Sequence, residues 1–573
     1  MKFAQVKGSE EIKMYKSAFS ALGRALVTVF LSAVLFMVGT GVALAGEKST
    51  GKRFDNTNVI LVTLQCLRLD HMGIGGYKRD TTPNLDRISK SSVLFENSIG
   101  QTNLTPVAMM AALTGKYPRV NGMVSFDVTK DSVPSRTMPE ILKYYDYKTA
   151  AVVTTPEFFV RFNSKTGSKV NLRDVFSRSY DEYIWPRGRA GKSVRELPTQ
   201  SLGWLDKNKN KKFFLWIASG SMHPPYAATV PEPDKSMYDP PGYTTPFWTR
   251  FFPIAGSKAG PNDPSIERFL RIWDNKYYMG FKPVYSLTPD DRAYIIGRYD
   301  AGVRYADKFV GELDKKLKDT GLAKNTIVIY YSIHGKTLGE KGQFINYDIY
   351  DQAIKNVLML RFPDGLAAGR RISNQVQGID IMPTLLDYLN IPIAADMQGV
   401  DVMPLIRGEA GAKASEYAYI DRTPYFEHWM SRFFLALRFQ NPLKRNHPPS
   451  EDAALGKYVK VLQKAFPLHS YPPGDIAIRT NKWKLIIRKH PRLLEKVSWR
   501  AFITGKPYPV PNMELYNLVV DPHEMHNVVA ENPKVVARLK AKLLKWDAEN
   551  EKMKVPYYRP GEKRYFIPYP GEG

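Results

Sequence analysis

Five short apolar runs set the hydrophobic pattern of this chain, and the segments between them have helical patterning. The runs cover residues 59–64, 149–155, 213–218, 326–332 and 357–362. Runs of about four to eight residues rich in Val, Ile, Phe and Tyr are typical of strands buried in a parallel sheet. Their alternation with helical segments predicts an α/β fold with a mainly parallel sheet.

Two Thr-Pro pairs mark predicted helix starts. Thr82 precedes Pro83, and Thr105 precedes Pro106 and the apolar run 107–113. A threonine before a proline suits an N-cap followed by the first helical residue. We therefore predict that each pair opens a helix, and that the helix after Thr105 is buried.

Composition divides the chain into regions. We predict a large α/β domain at residues 54–407, interrupted at 230–289 by an insertion dense in Pro, Gly and aromatic residues, which is typical of a lid or a surface excursion. A smaller domain is predicted at 408–551, followed by a tail at 552–573. Its final helix should bury four residues at helical spacing: Val536, Leu539, Leu543 and Trp546.

The N-terminus has the pattern of an export signal. Residues 1–24 are basic, and residues 25–45 are apolar and end in the small-residue pattern Ala-Leu-Ala. We expect a signal peptide at 1–45 and a periplasmic or secreted protein. Because the apolar run approaches the roughly 20 residues of a membrane helix, an uncleaved anchor that leaves the folded part outside the cytoplasm is the alternative.

The folded part of the chain is basic. The formal net charge is +26, and it falls only to +23 without residues 1–45, which hold five basic and two acidic residues. An exported basic protein is expected to meet an anionic sulfated or phosphorylated glycan or lipid rather than nucleic acid, although a solvated basic surface is equally compatible. The single cysteine, Cys66, excludes an internal disulfide and is predicted to be a buried apolar residue.

Several motifs resemble the sulfatase family of the alkaline phosphatase superfamily. They are NVILVTLQCLRLDHMG at 58–73, TPNLDR at 82–87, LTGKYP at 113–118, HPPY at 223–226 and ELYNL at 514–518. The resemblance implies an alkaline-phosphatase-like sheet sandwiched by helices, with a smaller C-terminal α+β subdomain. It also implies activity on sulfuric or phosphoric esters at a site containing a divalent metal.

The positions that match the family's metal ligands carry other residues here. The resemblance places an acidic residue at Gln65 and an Asp-His or Asp-Asn pair at Ile333 and His334. Isoleucine offers no ligand atom and glutamine only a neutral carbonyl, whereas Ca²⁺ and Mg²⁺ prefer carboxylates. No metal is therefore expected, unless the protein is an active enzyme, which would need Ca²⁺ or Mg²⁺.

The position of the family's nucleophile is also altered. Sulfatases carry CxPxR or SxPxR there, and counting back from Leu113-Thr114-Gly115 places Thr105 at the Cys or Ser. Formylglycine chemistry is not expected at a threonine, but related phosphate-transferring enzymes use one unmodified, so Thr105 is a candidate nucleophile. A helix-capping role alone remains open, as does a register that follows Pro106 and puts Leu104 at this position.

Four further residues are candidate anion contacts. His223 and Lys116 match family positions that contact the ester group, and His334 and Lys336 follow a predicted strand. Lys336 either replaces the metal's positive charge or lies exposed in a loop.

Three functional hypotheses follow from these residues and motifs. The first is an exported sulfatase-like protein that has lost metal-dependent hydrolysis and binds a sulfate or phosphate ester. The second is an active ester hydrolase or phosphotransferase with Thr105 as nucleophile. The third is a structural or partner-binding protein whose cleft is filled by side chains.

Overall fold

The computed structural model describes residues 56–124, 133–154, 161–163, 169–185, 190–223, 226, 230–243, 289–342, 346, 348–422, 474–489 and 511–555. The predicted leader at 1–45, most of the 230–289 insertion and most of the tail lie outside these residues. By internal contacts the chain divides into Met1–Asp55 and Asn56–Gly573, and all described residues belong to the second unit. None of the helices among them is long and apolar enough to span a membrane.

A central sheet of eight strands forms the scaffold. Its order is β10-β2-β9-β8-β1-β7-β3-β6. The strands are β1 Asn58–Leu64, β2 Val93–Ile99, β3 Lys148–Val153, β6 Glu182–Ile184, β7 Phe213–Ser219, β8 Thr326–Tyr331, β9 Lys355–Arg361 and β10 Arg371–Gln377. A separate pair consists of β4 Arg161–Asn163 and β5 Lys169–Asn171. All five strands predicted from apolar runs are present, and the mainly parallel α/β fold is confirmed.

One strand departs from the parallel arrangement. Strand β9 runs antiparallel to both of its neighbours, β8 and β2, whereas the other pairs in the sheet are parallel. Strand β1 lies between β7 and β8, and every residue of it is buried. Because β1, β7 and β8 are parallel, their carboxyl ends meet at one edge of the sheet.

Helices cover the sheet. Within the described residues they are α1 Pro83–Ser89, α2 Thr105–Thr114, α3 Pro118–Asn121, α4 Met138–Tyr144, α5 Leu172–Ser177, α6 Ala190–Asn208, α7 Pro289–Asp319, α8 Asp351–Ile354, α9 Ile381–Tyr388, α10 Met403–Arg407 and α11 Pro533–Met553. All ten residues of α2 are buried. Helix α7 packs on the sheet through residues such as Tyr299, Val303 and Val310.

A second sheet lies in the C-terminal part of the chain. Its antiparallel strands are β11 Ala418–Arg422, β12 Asp475–Arg479, β13 Trp483–Ile487 and β14 Met513–Asn517. Helix α11 packs on it and buries Leu539, Leu543 and Trp546, as predicted, while Val536 is only partly buried. The antiparallel sheet of the C-terminal region is thus confirmed, and the domain boundary at 408 stays a prediction.

Candidate functional site

The site forms where β1 and β8 end. Gln65 follows β1 directly, and His334 lies three residues after the last residue of β8. Cys66 and Ile333, next to them, have positive φ angles of 71° and 62°. A left-handed conformation is strained for a β-branched residue such as Ile333. These turns carry the chain sharply out of both strands, and both residues are fully buried.

The Thr105 hydroxyl joins the two turns. Gln65 Nε2 donates to Thr105 Oγ1 over 2.8 Å, and His334 Nε2 lies 2.8 Å from the same oxygen. All three side chains are buried. The structure therefore brings together the residues predicted to match the nucleophile and two of the metal-ligand positions.

The predicted N-cap role of Thr105 is wrong. Helix α2 begins at Thr105 itself, and its N-cap residue is Leu104, which makes no side-chain cap hydrogen bond. Pro106 is consequently the second helical residue, where its missing N–H leaves no unmet donor. The Thr105 hydroxyl is used for contacts with Gln65 and His334.

Two asparagines that the sequence did not indicate, Asn346 and Asn103, extend the hydrogen-bond network around His334. Asn346 Nδ2 lies 2.7 Å from His334 Nδ1 and donates to Gly335 O over 3.0 Å. Asn103 Nδ2 donates to Asn346 O over 2.7 Å. Because Asn103 lies two residues before Thr105, these hydrogen bonds connect the start of α2 with the loop after β8. The position of Asn103 beside the Thr-Pro pair was the only sequence signal for it.

Each neutral tautomer of His334 satisfies a different part of these contacts. In one, His334 Nδ1–H donates to Gly335 O at 2.8 Å but faces the Asn346 Nδ2 donor at 2.7 Å, and Nε2 accepts the Thr105 proton. In the other, Nδ1 accepts from Asn346 but faces Gly335 O, and Nε2–H donates to Thr105 Oγ1. The first arrangement makes His334 a base for the Thr105 hydroxyl. The second leaves the hydroxyl proton for an oxygen of a ligand.

The donor set does not fit the divalent metal of the family. Gln65 and His334 both contact the Thr105 hydroxyl, and the Ile333 side chain is apolar and buried. Across the part of the chain that the structure describes, no group of three His, Cys, Asp or Glu residues could hold a metal ion. A hard cation would meet neutral amide, hydroxyl and imidazole groups here instead of carboxylates.

The two lysines predicted as anion contacts are both buried. Lys116 forms an ion pair with Asp396, so its charge is balanced within the protein. Lys336 is only 2% exposed, and the alternative of an exposed loop lysine is therefore wrong. Its carbonyl accepts a hydrogen bond of 2.8 Å from Arg68 Nη1, and the same guanidinium pairs with Glu340.

His223 lies at the same edge of the sheet. It follows β7, the strand beside β1, and its backbone N–H donates to Gly220 O over 3.0 Å. The side chain is half-buried. The position after β7 agrees with a site-facing loop, and the role of His223 stays a prediction.

Lys341 connects this region with the second sheet. Its Nζ lies 3.9 Å from the centroid of the Tyr350 ring and 3.2 Å from the Tyr516 hydroxyl, on β14. Burial lowers the pKa of Lys341, which the nearby Glu514 carboxylate opposes. The loop after β8 is therefore anchored to β14 through a partly desolvated cation.

Gly335 leaves no room for a side chain, so Gly335→Ala is expected to lower the free energy of unfolding by about 1–3 kcal/mol. A Cβ atom there would lie 2.3 Å from Gln352 O and 2.7 Å from Lys355 O, both backbone atoms. Urea unfolding measures the effect. Gly203→Ala, where a Cβ meets nothing within 4 Å inside α6, is the control and should stabilise by up to about 1 kcal/mol. Equal stability of the two variants would contradict the close packing at Gly335.

Comparison with known proteins gives a consistent family. The family model described as Sulfatase matches residues 57–391. An N-acetylglucosamine-6-O-sulfatase of Bacteroides thetaiotaomicron is 24% identical over 419 residues, which cover 62% of this chain and 72% of that protein. Iduronate 2-sulfatase of Mus musculus is 23% identical over 426 residues, covering 63% and 74%.

Solved structures share the fold. A protein crystallised with its substrate D-glucosamine-2-N,6-O-disulfate superposes with a TM-score of 0.59 at 19% identity, covering 87% of this chain and 98% of that one. The phosphonate monoester hydrolase of Agrobacterium radiobacter gives a TM-score of 0.59 at 17% identity, covering 86% and 96%. At these identities the likeness establishes the sulfatase-like α/β fold.

Proposed function

The chain belongs to the sulfatase family, and from this membership we propose that it binds a sulfate or phosphate ester of an anionic glycan without metal-dependent hydrolysis. The observation that carries the proposal is the Gln65–Thr105–His334 cluster at the ends of β1 and β8. Gln65 and Ile333 occupy two positions where a hydrolase of this family needs carboxylates for its metal, and neither residue supplies one.

The chemistry of the cluster suits an oxyanion. Threonine, glutamine and histidine side chains all present hydrogen-bond donors, and α2 begins at Thr105, where the positive end of the helix dipole lies. Because Gln65 and Ile333 stand where the family has carboxylates, the site lacks negative charge that would repel an anion bound without a metal ion. Sulfated sugars are the favoured class because the relatives include an N-acetylglucosamine-6-O-sulfatase and an iduronate 2-sulfatase.

The hydrogen bond of 2.8 Å between Thr105 Oγ1 and His334 Nε2 favours a second candidate function, metal-free ester cleavage or phosphoryl transfer. His334 would accept the hydroxyl proton as Oγ1 bonds to phosphorus or sulfur and the ester oxygen leaves with the electron pair of the broken bond. Transfer of the group from Thr105 to water or to another hydroxyl would complete the cycle. A buried nucleophile–base pair is the minimum such chemistry requires.

Export is part of the proposal. We place the protein in the periplasm or outside the cell, released by cleavage after residue 45 or anchored through residues 25–45, where sulfated or phosphorylated glycans and lipids are accessible. N-terminal sequencing of the protein recovered from a periplasmic fraction tests this location. Recovery of the chain with Met1 in the cytoplasm would contradict it.

Thr105→Val is expected to weaken binding of glucosamine 6-sulfate by about tenfold, because the ligand loses one hydrogen bond to the hydroxyl. Calorimetry on the full chain measures binding, with glucosamine as the unsulfated comparison, and ion chromatography measures released sulfate. Thr114→Val is the matched control, since that hydroxyl donates to Met110 O at the other end of α2.

The outcomes separate the two functions. Binding that requires the ester, with no sulfate released, supports the binding function. Sulfate or phosphate release that Thr105→Val abolishes and Thr114→Val retains supports the Thr105 nucleophile. Equal affinity for glucosamine and its sulfate, together with no ester cleavage, would overturn both and favour a cleft filled by side chains.

A further inference from the structure

The exposed face of α11 carries a row of cations. Lys534, Arg538 and Lys542 follow one another at four-residue spacing, so successive side chains lie on the same face of the helix. Lys545 lies on this face as well. All four side chains are exposed, and the opposite face is buried on the second sheet through residues such as Leu543. This row is called the basic face below.

Among the described residues, carboxylates pair with only one of the four cations in this row. In the described residues, ion pairs within 4.0 Å involve only Lys545 of the four, which contacts the exposed Glu549 over 3.8 Å. Two other acidic residues farther along α11 pair elsewhere, since Asp547 contacts Arg119 and Lys489, and Glu551 contacts Arg119 and Lys554. The positive charge of the basic face therefore remains available to an external partner.

Stability of the helix does not account for the row. Like charges four residues apart destabilise a helix, so Lys534, Arg538 and Lys542 oppose the folding of α11. The packing of Leu539, Leu543 and Trp546 stabilises the helix independently of them. An anionic partner would convert this repulsion into attraction.

An aromatic ring beside the row points to a sugar polymer. Lys542 Nζ lies 5.7 Å from the centroid of the Tyr417 ring, and Tyr417 is only partly buried. The Tyr417 ring belongs to an aromatic cluster, because it packs on Tyr419, which stacks on Trp546. The half-exposed ring lies beside Lys542, with the Glu416 carboxylate hydrogen-bonded to its hydroxyl, and it offers a flat face for a pyranose. The cations of the row offer charge for the sulfates of such a sugar.

We propose that the basic face of α11, with Tyr417, is a docking surface for a sulfated polysaccharide chain, separate from the Thr105 cluster. The choice of a sulfated glycan rests on the proposed function, whereas the surface itself rests on the charges and the ring. The surface would hold a polymer near the protein while the Thr105 cluster binds a single ester group.

The test compares heparin binding by two triple variants of the full chain at low salt. Lys534→Gln with Arg538→Gln and Lys542→Gln should weaken heparin binding about tenfold, from three exposed contacts of modest strength each. The control removes the same charge from exposed lysines of another surface, with Lys207→Gln, Lys209→Gln and Lys211→Gln. It should retain the affinity of the unmodified protein. The thermal unfolding midpoint of the α11 variant should not fall, because the substitutions remove repulsion between like charges along the helix.

Each result decides the proposal. A selective loss in the α11 variant, with desulfated heparin bound weakly by all proteins, supports the docking surface. Equal losses in both triple variants would show attraction by net charge alone and overturn it. Loss of binding to phosphatidylglycerol vesicles with unchanged heparin binding would make the surface a lipid contact and overturn the glycan assignment.

The measurement also separates this inference from the proposed function. The α11 triple variant should bind glucosamine 6-sulfate with the affinity of the unmodified protein, while its heparin affinity falls. Retained monosaccharide binding with weakened heparin binding in this variant would show that the docking surface is separate from the Thr105 cluster. If the α11 substitutions weakened glucosamine 6-sulfate binding as much as heparin binding, a separate docking surface would be excluded.

Discussion

Replacing Lys484 with methionine is expected to lower the free energy of unfolding by about 3–5 kcal/mol. The side chain is completely buried in β13, and its Nζ lies 2.8 Å from Glu524 Oε1 and 3.1 Å from Asp351 Oδ1. Methionine keeps the apolar volume but leaves two buried carboxyl groups with less compensating charge. The expected loss of stability therefore comes from uncompensated buried negative charge and not from lost packing.

The residues around Lys484 limit the loss of stability in the Lys484→Met variant. In the unmodified protein, Arg479 and Lys484 together keep the pKa of Asp351 well below its usual value. The Arg479 contacts with Asp351, of 2.8 to 3.1 Å, remain in the variant. Burial already raises the pKa of Glu524 to about 7, with Lys484 opposing the rise. Without the lysine, Glu524 can take up a proton, so the variant should lose less stability at pH 5 than at pH 8.

Lys482→Met provides the control for this prediction. Lys482 lies two residues earlier and is exposed, so its replacement should change stability by no more than about 0.5 kcal/mol. Urea unfolding at pH 8 compares the two variants with the unmodified protein. A loss below about 1 kcal/mol for Lys484→Met would mean that Asp351 and Glu524 do not depend on this ammonium group.

Hydrophobic runs predicted the centre of the sheet well but not its edge. Strands β1, β7 and β8 are apolar and buried on both sides, which makes them readable from composition. Strand β10 exposes residues such as Asn374, and β2 contains Glu96, so neither forms a continuous apolar run. The reversed direction of β9 left no trace in the sequence, because hydrophobic periodicity is the same in either direction.

The site was predictable only where the sheet positions it. Gln65 and His334 follow adjacent parallel strands, and the rule that such strand ends lie together placed them correctly. The pairing of Lys116 with Asp396, 280 residues later, depends on how α2 packs and not on local spacing. Asn346 contacts His334 through the path of a loop, which no periodic pattern encodes. Such contacts require the tertiary structure.

The free energy of unfolding is expected to fall as the pH rises from 4 to 8, through a contribution from Asp380. This carboxyl group is fully buried beside α9, and burial raises its pKa to about 7 despite hydrogen bonds from the Gln377 and Val400 backbone N–H groups. Between the unfolded and folded pKa values, only the folded state holds the proton. The stabilisation is therefore present at pH 4 and lost as the pH passes 7.

Asp380→Asn isolates this contribution because asparagine does not titrate. A difference of about three pH units corresponds to roughly 4 kcal/mol at most. The stability gap between the unmodified protein and the variant should therefore narrow by up to that amount from pH 4 to pH 8, measured by urea unfolding. The asparagine also places a donor against one backbone N–H, which lowers stability at every pH and leaves the slope unaffected. Asp319→Asn, at the exposed end of α7, controls for the loss of one carboxylate. A gap that stays constant across this range would show that Asp380 is ionised in the folded protein at pH 4, held by its two N–H donors more strongly than burial opposes.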